Sequence, residues 1–170
     1  MLTTRLLKIG LLSVTGLFFA IVFFNNAIDD HPSNADFVKH VLSIDSIKFE
    51  GTAERIDWRA ITSPTIHTLF YWGIILWELA VAILSFLGAF VLLKNLKSPS
   101  AVFQKAKSTS VIALGLGMML WYLAFITVGG EWFYMWASHW NGQDAAWRMF
   151  GILGITLIFL LQKEEELDPA

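Results

Sequence analysis

Glu78 places a carboxyl group inside Leu69–Leu93, a run with no other charged residue. A bilayer core of ~30 Å is crossed by roughly 20 apolar helical residues, so the run is long enough to span with some tilt. An ionisable group at that depth is expensive unless it faces protein, a partner or a polar cavity. Glu78 is therefore expected to point at other parts of the protein. His67, Tyr71, Glu78 and Ser85 stand at i, i+4, i+11 and i+18, close to one face of a helix. An imidazole, a phenol, a carboxyl and a hydroxyl in a row could relay protons or hold a polar ligand. They could equally hydrogen-bond to neighbouring helices, and that polar seam is the reading adopted.

Imidazoles and carboxylates can also bind metals, and histidine can ligate haem. The four histidines, His31, His40, His67 and His139, are the weak candidates, with Asp29, Asp30, Asp36 and Glu131 near them in the chain. No pair has a spacing such as HExxH, so no metal site is expected. Cysteine is absent, which excludes disulfides, Cys-ligated zinc, Cys-ligated iron–sulfur clusters and thiol chemistry. There is no nucleophile elbow, P-loop or dinucleotide fingerprint, so no catalytic residue and no enzyme activity are expected. Trp140-Asn141-Gly142-Gln143 reads as a turn with capping residues, or as a loop that touches a ligand.

The elements that must position these groups are membrane helices. Of 170 residues, 56% are hydrophobic and 15% charged, against roughly 45–50% and 25% in soluble domains. A net charge of -2 and the lack of a basic tract give no reason to expect a nucleic-acid partner. The expected fold is all-α, a single domain of four transmembrane helices at about residues 6–24, 65–93, 108–128 and 145–161. Residues 1–24 resemble a signal peptide, but FFNNAIDD shows no small-x-small cleavage site, so they are read as the first span. Gly16 and Ala20 form a small-xxx-small pair there, and Gly115 and Gly117 offer close packing in the third span.

Between helices 1 and 2 a long outer loop, 25–64, is expected. It carries a small amphipathic helix over Asn34–Leu42, because Phe37, Val38, Val41 and Leu42 share one helical face. Ser63-Pro64-Thr65 starts the second span with proline near its first turn. Residues 94–107 are read as a solvated lysine loop and QKEEELDPA, 162–170, as a solvated acidic tail. Gly129-Gly130 should end the third span. The segment 129–144 should then form an interfacial helix with Trp132, Trp136 and Trp140 as one stripe. Trp58 and Trp147 are further interfacial anchors.

Lysine and arginine favour both termini in the cytoplasm. Arg5, Lys8, Lys94, Lys97, Lys105, Lys107 and Lys163 lie on that side, against Lys39, Lys48, Arg55, Arg59 and Arg148 on the other.

Four stretches carry a resemblance: Phe37–Ser46 (FVKHVLSIDS), Trp58–Ile61 (WRAI), Trp77–Ala80 (WELA) and Trp140–Gln143 (WNGQ). Together the chain resembles, over nearly its whole length, a family of predicted small integral membrane proteins of proteobacteria. Within Ser43-Ile44-Asp45 that family more often has Met than Ile, a swap of similar volume. The resemblance implies four spans in a bacterial inner membrane, and implies no activity. The expected role is an accessory or structural subunit packed against a larger membrane complex, or self-associated, with no cofactor and with bound lipid. The alternatives are a small transporter or proton-conducting bundle using Glu78, and a metal- or haem-binding anchor using the histidines.

Overall fold

A computed structural model describes residues 2–28 and 33–166. Four helices are long and apolar enough to cross a membrane: Leu2–Ile28, Pro64–Lys94, Ser100–Trp132 and Gln143–Leu161. The first is α1, and α2 (Ser33–Ser43) and the one-turn α3 (Ala53–Ile56) follow it. The long second span is α4 (Pro64–Lys94), with Pro64 in its first turn. Its missing N–H would find no helical acceptor there in any case. The third span is composite: α5 (Ser100–Ala106), α6 (Ser108–Met119) and a π-helical stretch, Leu120–Trp132. The last is α7 (Gln143–Leu161).

The expected long loop between the first two spans is not found. Helix α1 runs on through Asn25 and Asn26 to Ile28, and α2, α3 and a short 3-10 turn (Asp57–Arg59) take up much of the remainder. Tertiary contacts explain the difference. The Ile61 N–H donates to the Leu42 carbonyl (2.8 Å), and Lys48 and His139 pair with the backbone of Ala137 and Ser46. Backbone that would be solvated in a free loop is tied down here.

Two apolar cores result. One lies inside the bundle, where Leu12, Phe19, Val81, Leu92, Leu114 and Leu153 meet. Its helices approach closely where side chains are small. A Cβ on Gly88 would lie 3.0 Å from the Ser110 backbone, and one on Gly16 would lie 3.1 Å from the Phe86 ring. Gly117 is similarly close to Leu153, whereas Gly115 faces open space. The second core caps one end, with Val41, Leu42, Ile44 and Ile56 against Phe133 and Met135.

The third span does not stop at Gly129-Gly130 but continues to Trp132. The expected tryptophan stripe is consequently broken. Trp132 ends the π-helical stretch, Trp136 lies in a 3-10 turn (Met135–Ala137), and Trp140 follows in irregular chain.

Candidate functional site

Asn26, Glu78, Tyr71 and Asn34 form a polar cluster between α1, α2 and α4. Helix α1 brings Asn26 to the same side as Leu12, Gly16 and Phe19, spaced at three or four residues, or at seven for Asn26. The Asn26 side-chain amide donates to Glu78 Oε2 at 2.9 Å. Asn34 donates to Asn26 Oδ1 at 2.6 Å, and the Tyr71 hydroxyl donates to the Asn26 carbonyl at 2.8 Å. That carbonyl lies near the end of the described part of α1. Tyr71 thus ties α4 to α1 at the asparagine that holds the glutamate.

Glu78 is 3% exposed, so it turns away from lipid. Ser85 is also fully buried, with no hydrogen-bond partner for its hydroxyl among the described residues. His67 sits apart, its Nε2 donating to the Ile61 carbonyl at 2.6 Å. The four seam residues therefore face protein, but only Tyr71 and Glu78 share a cluster, and Asn26 links them.

Two adjoining cavities flank this cluster. The smaller chamber, about 220 Å³, has mostly apolar walls into which Asn26, Asn34, Tyr71, Glu78 and Trp121 place their polar groups. The indole N–H of Trp121 is buried and has no acceptor among the described residues. The apolar chamber, about 320 Å³, is bounded by residues including Leu42, Phe70, Gly73, Trp77, Val128 and Met135. Phe37, Val38, Ile74 and Phe125 belong to the walls of both. The π-helical stretch contributes Trp121 and Phe125 to the first and Leu123, Phe125, Val128 and Gly129 to the second. Segments of π-helix recur at functional sites because the wider turn shifts side chains out of α register.

Short residues keep the walls together. A Cβ on Gly142 would lie 2.9 Å from Phe37, and one on Gly130 would lie 2.8 Å from the Gln143 amide. In Trp140-Asn141-Gly142-Gln143 the Asn141 side chain accepts the Gln143 N–H at 3.0 Å, which makes a turn just ahead of α7, whose N-cap Gly142 has no side-chain cap. Trp77 donates its indole N–H to the Leu116 carbonyl at 3.1 Å, locking α4 to α6 where the π-helical stretch approaches.

The described histidines do not converge. His31 lies outside the described residues. His40 pairs with Asp45 at 2.8 Å and stacks on Trp140, and His139 is exposed. Among the described residues no three His, Asp or Glu side chains could hold a metal ion together. Of the expected anchors, Trp58 and Trp132 meet edge to face at 5.8 Å, with the Arg59 guanidinium over both rings and over Tyr134. Trp136 rests on Phe49 and Tyr134, and Trp147 on Phe150.

At the other end of the bundle the expected solvated tail and lysine loop are corrected. Lys94, Lys97 and Lys105 are exposed, but Lys107 and Glu164 are buried. Glu164 accepts from Lys107 at 2.6 Å and from Lys8, with Arg5 Nε 3.6 Å away. Burial alone would raise the Glu164 pKa, but the hydrogen bonds from Lys107 and Lys8 outweigh it and hold the carboxyl below its ordinary value. Nothing in the letters of QKEEELDPA marks Glu164 apart from its neighbours. The signal for the cations was better: Arg5 and Lys8 fall on the α1 face that also carries Leu12.

The family described as predicted small integral membrane protein (DUF2165) matches residues 4–163, and the chain belongs to it. No curated protein and no solved structure matches the chain.

Proposed function

We propose that this integral membrane protein is a non-enzymatic accessory subunit that holds an amphipathic, lipid-like molecule for a larger membrane assembly. One observation carries the reading: a mostly apolar chamber that holds the polar groups of Asn26, Asn34 and Glu78 shares a wall with a wholly apolar chamber of about 320 Å³. Ligand sites are mostly apolar with a few placed polar groups, and the larger chamber reaches the lower end of their usual volumes, roughly 300–1,000 Å³. A headgroup with a hydroxyl, carbonyl or amide would meet Asn34, Glu78 and the unpartnered Trp121 N–H. The chain or ring would lie along Phe70, Trp77 and Val128.

The test is purification from native membranes in mild detergent, followed by mass spectrometry of lipids and proteins. The expected outcome is one amphipathic species at a fixed ratio to the protein, together with a larger partner. Gly73 lines the apolar chamber, and a Cβ there meets nothing within 4 Å. Gly73→Leu should then lower retention of the small molecule about tenfold, a loss of ~1.4 kcal/mol, while the fold survives. Equal retention by the plugged variant would sink the ligand reading. A solitary protein at every detergent strength would sink the accessory one.

A second reading, proton or solute conduction, is favoured by the burial of Glu78 within a span. On that reading Glu78→Gln in liposomes abolishes a flux that the parent protein shows.

A further inference from the structure

Arg5, Lys8 and Lys107 gather three buried cations around the Glu164 carboxylate. Arg5 is 0% exposed, and Lys8 and Lys107 are 2% exposed. Among the described residues Glu164 is the carboxylate that pairs with all three. Glu166 lies nearby, with its carboxylate hydrogen-bonded to the Ser100 backbone and hydroxyl at 3.1 and 2.5 Å, and its charge also acts on Arg5. Neutral oxygens supply the remaining ligands. The Gln162 carbonyl accepts from Lys8 and Lys107, Gln104 Oε1 accepts from Lys107, and the Leu96 and Ser98 carbonyls accept from Arg5. Carbonyl dipoles solvate cations but do not neutralise them, so among the described residues positive charge remains in excess, three cations against Glu164 and the nearby Glu166. Buried charge in excess is strongly disfavoured without a counter-ion. Arg5 Nε is buried and has no hydrogen-bond partner among the described residues.

The position of the cage narrows the counter-ion. It sits where α1 begins, where α5 meets α6, and where α7 has just ended. Along α1 it is about 30 Å from Asn26, at 1.5 Å per residue, and so at the opposite membrane edge from the Glu78 chambers. Basic pockets between helices at that level receive lipid headgroups. The tail that brings Glu164 has no regular structure over residues 162–166 and is held by side-chain contacts. A cavity of about 190 Å³ opens beside it, bounded by Thr4, Gln162, Lys163, Glu164 and Glu165.

We propose that the Arg5–Lys8–Lys107 cage binds the phosphate of an anionic lipid headgroup, and that Glu164 is the chain's own competitor for the same cations. The site is independent of the Glu78 chambers. A lipid phosphodiester brings two anionic acceptor oxygens, and Arg5 Nε is the donor that Glu164, 3.6 Å away, leaves without a hydrogen bond among the described residues. When it enters, the tail is released or shares the cage.

The full chain is placed in nanodiscs of phosphatidylcholine and phosphatidylglycerol, and lipids retained after detergent extraction are counted by native mass spectrometry. The parent protein should retain phosphatidylglycerol in preference to phosphatidylcholine. Glu164→Gln should raise that retention about fivefold by freeing the cations, and Lys8→Gln with Lys107→Gln should remove the preference. Equal retention of the two lipids by the parent protein, which needs no variant to fold, overturns the proposal, as does unchanged retention in Glu164→Gln. In a further arm, inorganic phosphate is added to phosphatidylcholine nanodiscs. Thermal stabilisation there without preference for phosphatidylglycerol would assign the cage to a soluble phosphate and overturn the lipid assignment.

Discussion

Ile44 shows how a single residue can be read correctly for volume and missed for backbone. It ends α2 with φ at 55°, in the left-handed region, and is 6% exposed in the cap core. A β-branched side chain is poorly suited to that region, which asparagine and glycine enter more easily. The turn is imposed because the chain must leave α2 and still let Ile61 reach the Leu42 carbonyl. Ile44→Met keeps the apolar volume and removes the branch at Cβ. It should raise stability by ~0.5–1 kcal/mol, read as a higher midpoint of thermal unfolding in detergent. A lower midpoint would show that the branched side chain's packing outweighs the strain. The exchange with methionine, judged on volume a matter of indifference, thus bears on backbone strain. Glu78 was legible because depth in an apolar run dictates direction. Asn26 was not, because the apolar letters stop at Phe24 while the helix does not.

At the scale of elements, hydrophobic run length located the four spans, and the apolar spacing of Phe37, Val38, Val41 and Leu42 located α2. Those signals are local. The π-helical stretch has no such signature, since its residues are as apolar as those of an α-helical span. Regular tryptophan spacing was misleading for the same reason: spacing implies a stripe only where one helix carries all the residues. Close approach is more readable, and α4 against α6 gives a direct check. Gly88→Ala puts a methyl group against Ser110 backbone at 3.0 Å, which a side-chain rotation cannot relieve. We expect a loss of ~1–3 kcal/mol. Gly10→Ala, where nothing lies within 4 Å, should be neutral or should gain up to ~1 kcal/mol from helix propensity. Thermal unfolding of both variants in one detergent decides it, and equal effects would mean that α4 and α6 can slide apart.

Across the whole molecule, the two ends of the described chain are joined by charge. The sequence showed basic letters at one end and acidic letters at the other, and solvation was the economical reading. Only the bundle's closure brings them together. Because the folded state holds Glu164 below its ordinary value of 4.5, its contribution is fully present above that value and is lost as pH falls through the lowered one. The difference in thermal midpoint between the parent protein and Glu164→Gln should therefore be greatest near pH 7 and vanish in stronger acid. A difference independent of pH would assign the effect to packing. The same contact orders events during synthesis. Lys8 and Glu164 are 156 residues apart, so a growing chain presents its first span's cations long before their carboxylate exists. Until the last span is made, that first helix must rely on water, lipid phosphate or an insertion factor for its counter-charge. The clasp then forms last, and its closure reports that the polypeptide has been made through to residue 164.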